Sequence, residues 1–494
     1  MSSSNFVSNY SIIRFAWNNI LSISSFVISI IVFFEEINFR TGLEGLFLLP
    51  AVFGICIQVF NRFYMYSRGG IALKIFFLIM FIRYDILPLM IALTNGRYNT
   101  LPITMPMINV SYNGYVFAII MSIIELIVCF AAISYYSKKM EAIKTINVLD
   151  EKKSNMGMSA FGLIGFFAFL VVLSTRDLQQ VLSTVTFFTM EEKYENPSTD
   201  AFGILAIQVI KMFMFMMLTV LFYKKYTKSN NVLWVLLAII VGFLNMSIFF
   251  GYNRSFVLQT AIATIYVLYA VFPRYRKLMV GGLIPITALI MISMIYIKQF
   301  GVSYTESSQN EMNLAQLSNT IESYVGGPWS LASGYDSYYA HGQSLPFSTF
   351  IKDFILNCFI SYLPGFEFIL NIFPNTISSP IVHQMHTNSY QMLPLSATSL
   401  FYGGIFLGPL ISIFFYVILM KMLVIFDYKS KLTKDFSKKY LYTMIAVLLS
   451  FTMCYTWVTL LWSFTKNMLF ISLLVMMNEI HMVRNGKIKK IKTF

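Results

Sequence analysis

Residues 71–93 read IALKIFFLIMFIRYDILPLMIAL. A helix of this length rises far enough to cross a hydrocarbon core about 30 Å thick. The stretch is apolar apart from Lys74, Arg83 and Asp85. An ionisable group at depth costs about 2.5–3.5 kcal/mol even on the gentlest scale, so each is expected to face a cavity or a partner. Arg83 and Asp85 stand two residues apart and so do not face each other on one helix. Each can pair across helices, and two readings stay open: a buried structural ion pair, or a group that works on a substrate.

The same kind of apolar block recurs along the chain. Twelve spans are expected at 19–34, 43–60, 71–93, 115–134, 159–174, 201–223, 232–250, 255–272, 279–297, 397–425, 441–458 and 461–482. Hydrophobic residues make up 57% of the chain and charged residues 12%, about half the charged share of a soluble domain. The net charge of +14 would suit nucleic acid, but its placement points elsewhere. Basic runs such as Lys138/Lys139/Lys144, Lys224/Lys225/Lys228 and Arg274/Arg276/Lys277 follow even-numbered spans, while Glu35/Glu36 and Glu191/Glu192/Glu195 fall in the alternate loops. That is the positive-inside pattern, with anionic inner-leaflet lipid as the basic runs' partner and both termini inside. No basic and aromatic platform for nucleic acid exists away from these runs. Cys56, Cys129, Cys358 and Cys454 are isolated and have no metal or disulfide spacing.

These features predict an all-α polytopic membrane protein in three parts. Residues 1–297 form a nine-helix transmembrane region, 298–396 a large extracytoplasmic loop, and 397–494 three more helices with a basic cytoplasmic tail. A loop of this length is far beyond a connector, and its many aromatics and few charges are wrong for a solvated coil. Its stretch from Phe347 to Phe373, broken at Pro364–Gly365, suits interfacial helices.

Several residues could carry chemistry. Arg254, in Gly251-Tyr-Asn-Arg254-Ser at an outer turn, suits bidentate phosphate binding; the plainer reading is an anchor that snorkels to headgroups. Lys298 opens the large loop and reads as an anchor or a phosphate contact. The segment from Tyr324 through Gly326-Gly327-Pro328-Trp329 to Tyr335 and Asp336 combines tight turns, aromatics and a carboxylate. Tyr324, Trp329 and Tyr335 could stack on sugar rings, or else anchor at headgroup level. His383 and His386 stand three apart, close to Asn388. A helical pair of that spacing can bind metal, but a third and fourth ligand are missing, so no metal is expected. Either histidine suits a general base for a hydroxyl; polar loop histidines are the bland alternative. Asp336 could take the hydroxyls of a sugar.

Taken in order, these elements resemble the Wzy-type oligosaccharide repeat-unit polymerases of O-antigen and enterobacterial common antigen synthesis. The likeness runs through Phe81-Ile-Arg83-Tyr-Asp-Ile-Leu-Pro88, Gly251-Tyr-Asn-Arg254-Ser, Lys298-Gln-Phe-Gly301 and Tyr324–Tyr335. It continues through Tyr362-Leu-Pro-Gly365, His386-Thr-Asn388-Ser-Tyr390 and Phe401-Tyr-Gly403-Gly404-Ile-Phe-Leu-Gly408. The resemblance implies a C-type-like glycosyltransferase fold of about 12 helices in the bacterial cytoplasmic membrane. It implies en bloc transfer of a glycan from undecaprenyl diphosphate to a second lipid-linked repeat unit, with no cofactor. Arg254, Arg83 and Lys298 would then steady the diphosphate, and Asn388, Tyr324, Trp329 and Tyr335 would bind substrate. His383, His386 or Asp336 would be the base. A flippase and a chain-length regulator are implied as partners. The large loop has only Lys298 and Lys352 as cations, so a bidentate diphosphate contact falls on Arg254 or Arg83.

Two other functions are compatible with such a chain. A lipid-linked oligosaccharide flippase would show related halves and short loops, which this sequence lacks. A polysaccharide ligase would share donor and fold but use a different acceptor.

Overall fold

A computed structural model describes residues 3–36, 42–60, 70–94, 110–142, 201–247, 254–300, 314–341, 350, 393–433 and 435–454. The described residues are 91% helical and contain no strand. Three helical segments are long and apolar enough to cross a membrane: Ile71–Leu93, Tyr112–Met140 and Leu395–Leu432. A fourth is gained if Val257–Val271 and Pro273–Leu289, bent by 115° at their junction, count as one. The expected spans at 159–174 and 461–482, and the interfacial stretch Phe347–Phe373 apart from Phe350, lie outside the described residues.

The helices are numbered here in chain order. They are α1 (Ser3–Glu36), α2 (Leu48–Phe60), α3 (Ile71–Phe81), α4 (Leu87–Leu93), α5 (Tyr112–Ala142), α6 (Ala201–Ser229), α7 (Leu233–Ser247), α8 (Arg254–Val271) and α9 (Arg276–Phe300). Next come α10 (Leu314–Val325), α11 (Pro328–His341), α12 (Leu395–Leu432) and α13 (Phe436–Ser450). A π-helical turn, Ile82–Ile86, joins α3 to α4.

Helix α1 shows which solvent the sequence is written for. Ser22, Ser25, Ser29 and Val32 are buried, whereas Ile23, Val27, Ile30 and Phe34 on the other side are exposed. A water-facing helix would carry the reverse pattern. The serines join helices: Ser22 donates to the Gly54 carbonyl at 3.1 Å, Ser29 to the Phe47 carbonyl at 2.9 Å and Ser25 to Asp85 at 2.8 Å. Small hydroxyl residues inside and large apolar ones outside are the packing of helices in lipid, where interhelical contact has no hydrophobic drive.

Helix α13 ties two groups of helices together. It packs on α3 and α12 and also on α8 and α6. Its Tyr440 hydroxyl accepts from Asn245 of α7 at 2.7 Å, and the same amide donates to Thr264 of α8 at 2.9 Å.

Helix α12 is two arms rather than one rod. Gly404 breaks it with φ 65° and ψ −167°, a backbone that glycine adopts without strain. A Cβ on Gly403 would meet the Gly408 nitrogen at 2.6 Å, and one on Gly408 would meet Ser399 and Leu400 at about 3.0 Å, so the chain folds back on itself here. The arm from Leu395 to Gly403 and the long arm after Gly404 run side by side in opposite directions. The sequence-based span at 397–425 covers both arms and does not foresee the reversal.

The described parts of 298–396 pack into the bundle. α10 lies on α4 and the π-turn, α11 on α5 and α12, and the two meet at Gly326–Gly327. Gly334 is the contact point of α11 with α12: a Cβ there would sit 2.5 Å from the Cβ of Ala397. Ala397 has no flexible end to move aside, so Gly334→Val is expected to separate the helices and cost about 1–3 kcal/mol. A lower thermal unfolding midpoint of the purified protein would register that loss; an unchanged midpoint would mean the contact is slack.

Candidate functional site

Arg83 stands near the middle of the 71–93 segment and is 1% exposed. Its partner is Glu125 of α5, with Nη2 donating to Oε2 at 2.8 Å. The other terminal nitrogen, Nη1, donates to the backbone carbonyls of Val325 at 3.1 Å and Met453 at 2.8 Å. A planar guanidinium holds these three acceptors in fixed directions, which a lysine ammonium does less well. The two acceptor carbonyls close the C-terminal ends of α10 and of the helical stretch after α13, where backbone oxygens lack intrahelical partners.

Glu125 is the hub of the centre. Oε2 accepts from Arg83 and from the Tyr84 hydroxyl at 3.1 Å. Oε1 accepts from the Tyr416 hydroxyl at 2.9 Å and from the Ser396 hydroxyl. Ser396 and Tyr416 would lie about 30 Å apart on a straight helix; they share one oxygen because α12 reverses at Gly404. A carboxylate buried this deeply is tolerable only with its charge paired and its lone pairs filled. Both conditions hold at Glu125. Reading the sequence passes over this residue, although a lone Glu in SIIELIVC was itself a signal.

The second carboxylate of the centre comes from the loop. Glu322 of α10 is fully buried, and Oε1 accepts the Ser330 amide at 3.0 Å, capping α11 from within the hairpin. A Cβ on Gly327 would meet the Glu322 Oε2 at 2.3 Å and Leu87 Cδ2 at 2.4 Å. Gly326 has φ +63°, and its Cβ would meet Pro394 at 2.9 Å and the Met453 carbonyl at 3.1 Å. The Gly-Gly-Pro turn is therefore a tip made narrow enough to reach Arg83.

Further along α11 the hairpin opens to the surface. Asp336 accepts from the Ser111 amide at 2.6 Å and the Ser111 hydroxyl at 2.5 Å, at the start of α5. Tyr335 lies against Phe117, with ring centroids 4.9 Å apart, and against Tyr339 at 4.6 Å. Burial, with the Tyr339 hydroxyl and the Asp336 carboxylate nearby, pushes the Tyr335 phenol up to about 12.

The structure thus brings some of the sequence-derived residues together and separates others. Arg83 meets the Tyr324–Tyr335 segment directly. Within that segment Trp329 is buried in the hairpin, while Tyr324 and Tyr335 keep part of their surface open. Asp336 stands more than two turns along α11 from the tip, with both oxygens on Ser111. Arg254 is the first residue of α8 and Lys298 lies in the last turn of α9; their side chains are outside the described residues. His383, His386 and Asn388 lie outside them as well. Asp85 does not pair with Arg83 and instead takes the Ser25 hydroxyl. Among the described residues no group of His, Cys, Asp or Glu could hold a metal ion.

The fold and this centre have the features of a helical membrane protein: apolar helices of spanning length, apolar outer faces, and a paired charge cluster within. Beyond that class, comparison with protein-family models, curated proteins and solved structures found no match.

Proposed function

We propose that the chain is a membrane glycosyltransferase that joins undecaprenyl-diphosphate-linked oligosaccharide repeat units into a surface polysaccharide. In this reading it spans the bacterial cytoplasmic membrane about 12 times with both termini in the cytoplasm, and the 298–396 segment works at the outer face. One observation carries the reading. The Arg83 motif and the Gly-Pro-Trp motif, 242 residues apart in sequence, are joined by a hydrogen bond. Both belong to the set of short patterns on which the family resemblance rests, and a loop hairpin seated in the helical bundle suits a site at the membrane's outer face.

The chemistry is one displacement. A hydroxyl oxygen of the acceptor repeat unit attacks the anomeric carbon of the growing chain, and the bond from that carbon to the diphosphate oxygen breaks. The hydroxyl proton passes to His383, His386 or Asp336, and the electron pair leaves with undecaprenyl diphosphate. Arg83 is committed to Glu125 and two carbonyls, so stabilising the leaving charge rests on Arg254, with Lys298 as a second cation. The Tyr335–Tyr339 pair, next to a carboxylate, suits the apolar face and hydroxyl rim of a sugar ring.

The deciding experiment is gel analysis of surface polysaccharide from a strain lacking this chain. A product stopped at one repeat unit on its surface acceptor is expected. Complete loss of surface sugar, with lipid-linked units trapped inside, would make the chain a flippase instead. Long polymer left unattached to its acceptor would make it a ligase.

A further inference from the structure

We propose that Glu125 is the positioning residue of this site: one buried carboxylate on α5 seats both flanks of the outer loop and so holds the loop's working groups in place. The functional half of this proposal rests on the polymerase reading; the structural half does not.

The two oxygens of Glu125 divide the work. Oε2 fixes Arg83, and Arg83 in turn holds the Val325 carbonyl at the hairpin tip. Oε1 takes Ser396, the second residue of the first arm of α12, where the chain leaves the loop. Val325 and Ser396 thus bracket the loop's central stretch, and both are referred to a single carboxylate. The same oxygen binds Tyr416 on the returning arm, so the fold-back at Gly404 is closed by the same group. An ion pair that only glued two spans would have no reason to gather both flanks of one loop. Glu125 is 1% exposed and cannot itself meet a sugar, so its effect passes through the groups it positions, Tyr335 and Asp336 on α11.

Seating can be read without any reaction. Ser111→Cys with Asp336→Cys places two thiols where the outer end of α11 meets α5. Oxidative cross-linking of the full-length protein in membranes, with the four native cysteines changed to alanine, then reports the seated hairpin. Two further changes are each added to that protein: Glu125→Gln, nearly isosteric but uncharged, and the paired Arg83→Met/Glu125→Leu, which removes both charges and leaves neither buried alone. Turnover on lipid-linked repeat units is measured separately, with Ser111 and Asp336 intact.

Arg83→Met/Glu125→Leu is expected to insert at the level of the unaltered chain and Glu125→Gln at a lower level, because it strands the buried Arg83 charge; per inserted protein, both are expected to cross-link about tenfold more slowly, the effect of losing a charge-assisted bond. Turnover is expected to fall by a similar factor with half-saturation unchanged, since the lost property is geometry in the transition state and not ground-state binding. Cross-linking at the unaltered rate in both variants would overturn the seat. Slowed cross-linking with undiminished turnover would overturn the positioning role while leaving the polymerase reading standing. An unaltered chain that makes no polymer would remove the polymerase reading and with it the positioning role, while the cross-link alone would still decide the seat.

Discussion

Arg83→Ala is expected to cost about 3–5 kcal/mol of stability, because it strands a buried carboxylate among three hydroxyl donors with no countercharge. The loss should appear as a large fall in the thermal unfolding midpoint of detergent-purified protein and in the amount that survives insertion. Arg83→Lys is expected to fall between Arg83→Ala and the unaltered chain. An ammonium can reach Glu125, but it is a point charge and does not also hold the Val325 and Met453 carbonyls in the directions of a guanidinium fork. Leaving one of those carbonyls unsatisfied costs about 1–3 kcal/mol. An Arg83→Ala protein as stable as the unaltered chain would mean that the pair contributes nothing, and the centre described here would lose its structural meaning.

The second large effect concerns chemistry. On the polymerase reading, Arg254→Ala should abolish chain growth while the protein still inserts, and Arg254→Lys should fail only in part. Removing one preorganised donor to a developing negative charge lowers turnover by about 10²–10³-fold. Arg254 opens α8, where backbone N–H groups also point out of the helix and favour an anion. The measurement is polymer length on gels from a strain carrying each variant at matched protein level. Normal polymer from Arg254→Ala would take Arg254 out of the site.

The helical character of the chain was legible because lipid demands it. A backbone that cannot hydrogen-bond to its surroundings must satisfy itself, so apolar blocks read directly as helices. The 71–93 segment, the stretch from Tyr112 and the helix from Arg254 all appear close to where the hydropathy placed them. The reversal at Gly404 was not legible, because apolar sequence on both sides of a Gly-Gly pair reads the same whether the helix continues or folds back. The seat of the loop was hidden for a related reason. Val325 and Met453 take part through their carbonyls, which every residue possesses, so no side chain announces the contact. Arg83 was visible as a charge in need of a partner, but the partner was not, since spacing within one helix says nothing about which other helix lies opposite. Glu125 was legible in principle, as a single acid in an apolar run.

Asp427, near the far end of α12, adds a mechanical consequence. Its carboxylate accepts the amides of Gly70 at 2.5 Å and Ala72 at 2.9 Å, gripping the first turn of α3. Glu125 grips the same continuous segment near its middle, through Arg83 and Tyr84. A rod pinned at its foot and its waist cannot piston along its own axis. Above that point the segment is held as well: Asp85 takes the Ser25 hydroxyl, and Leu87, Ile91 and Ala92 of α4 are buried, so the hairpin tip rests on a strut fixed along its whole length.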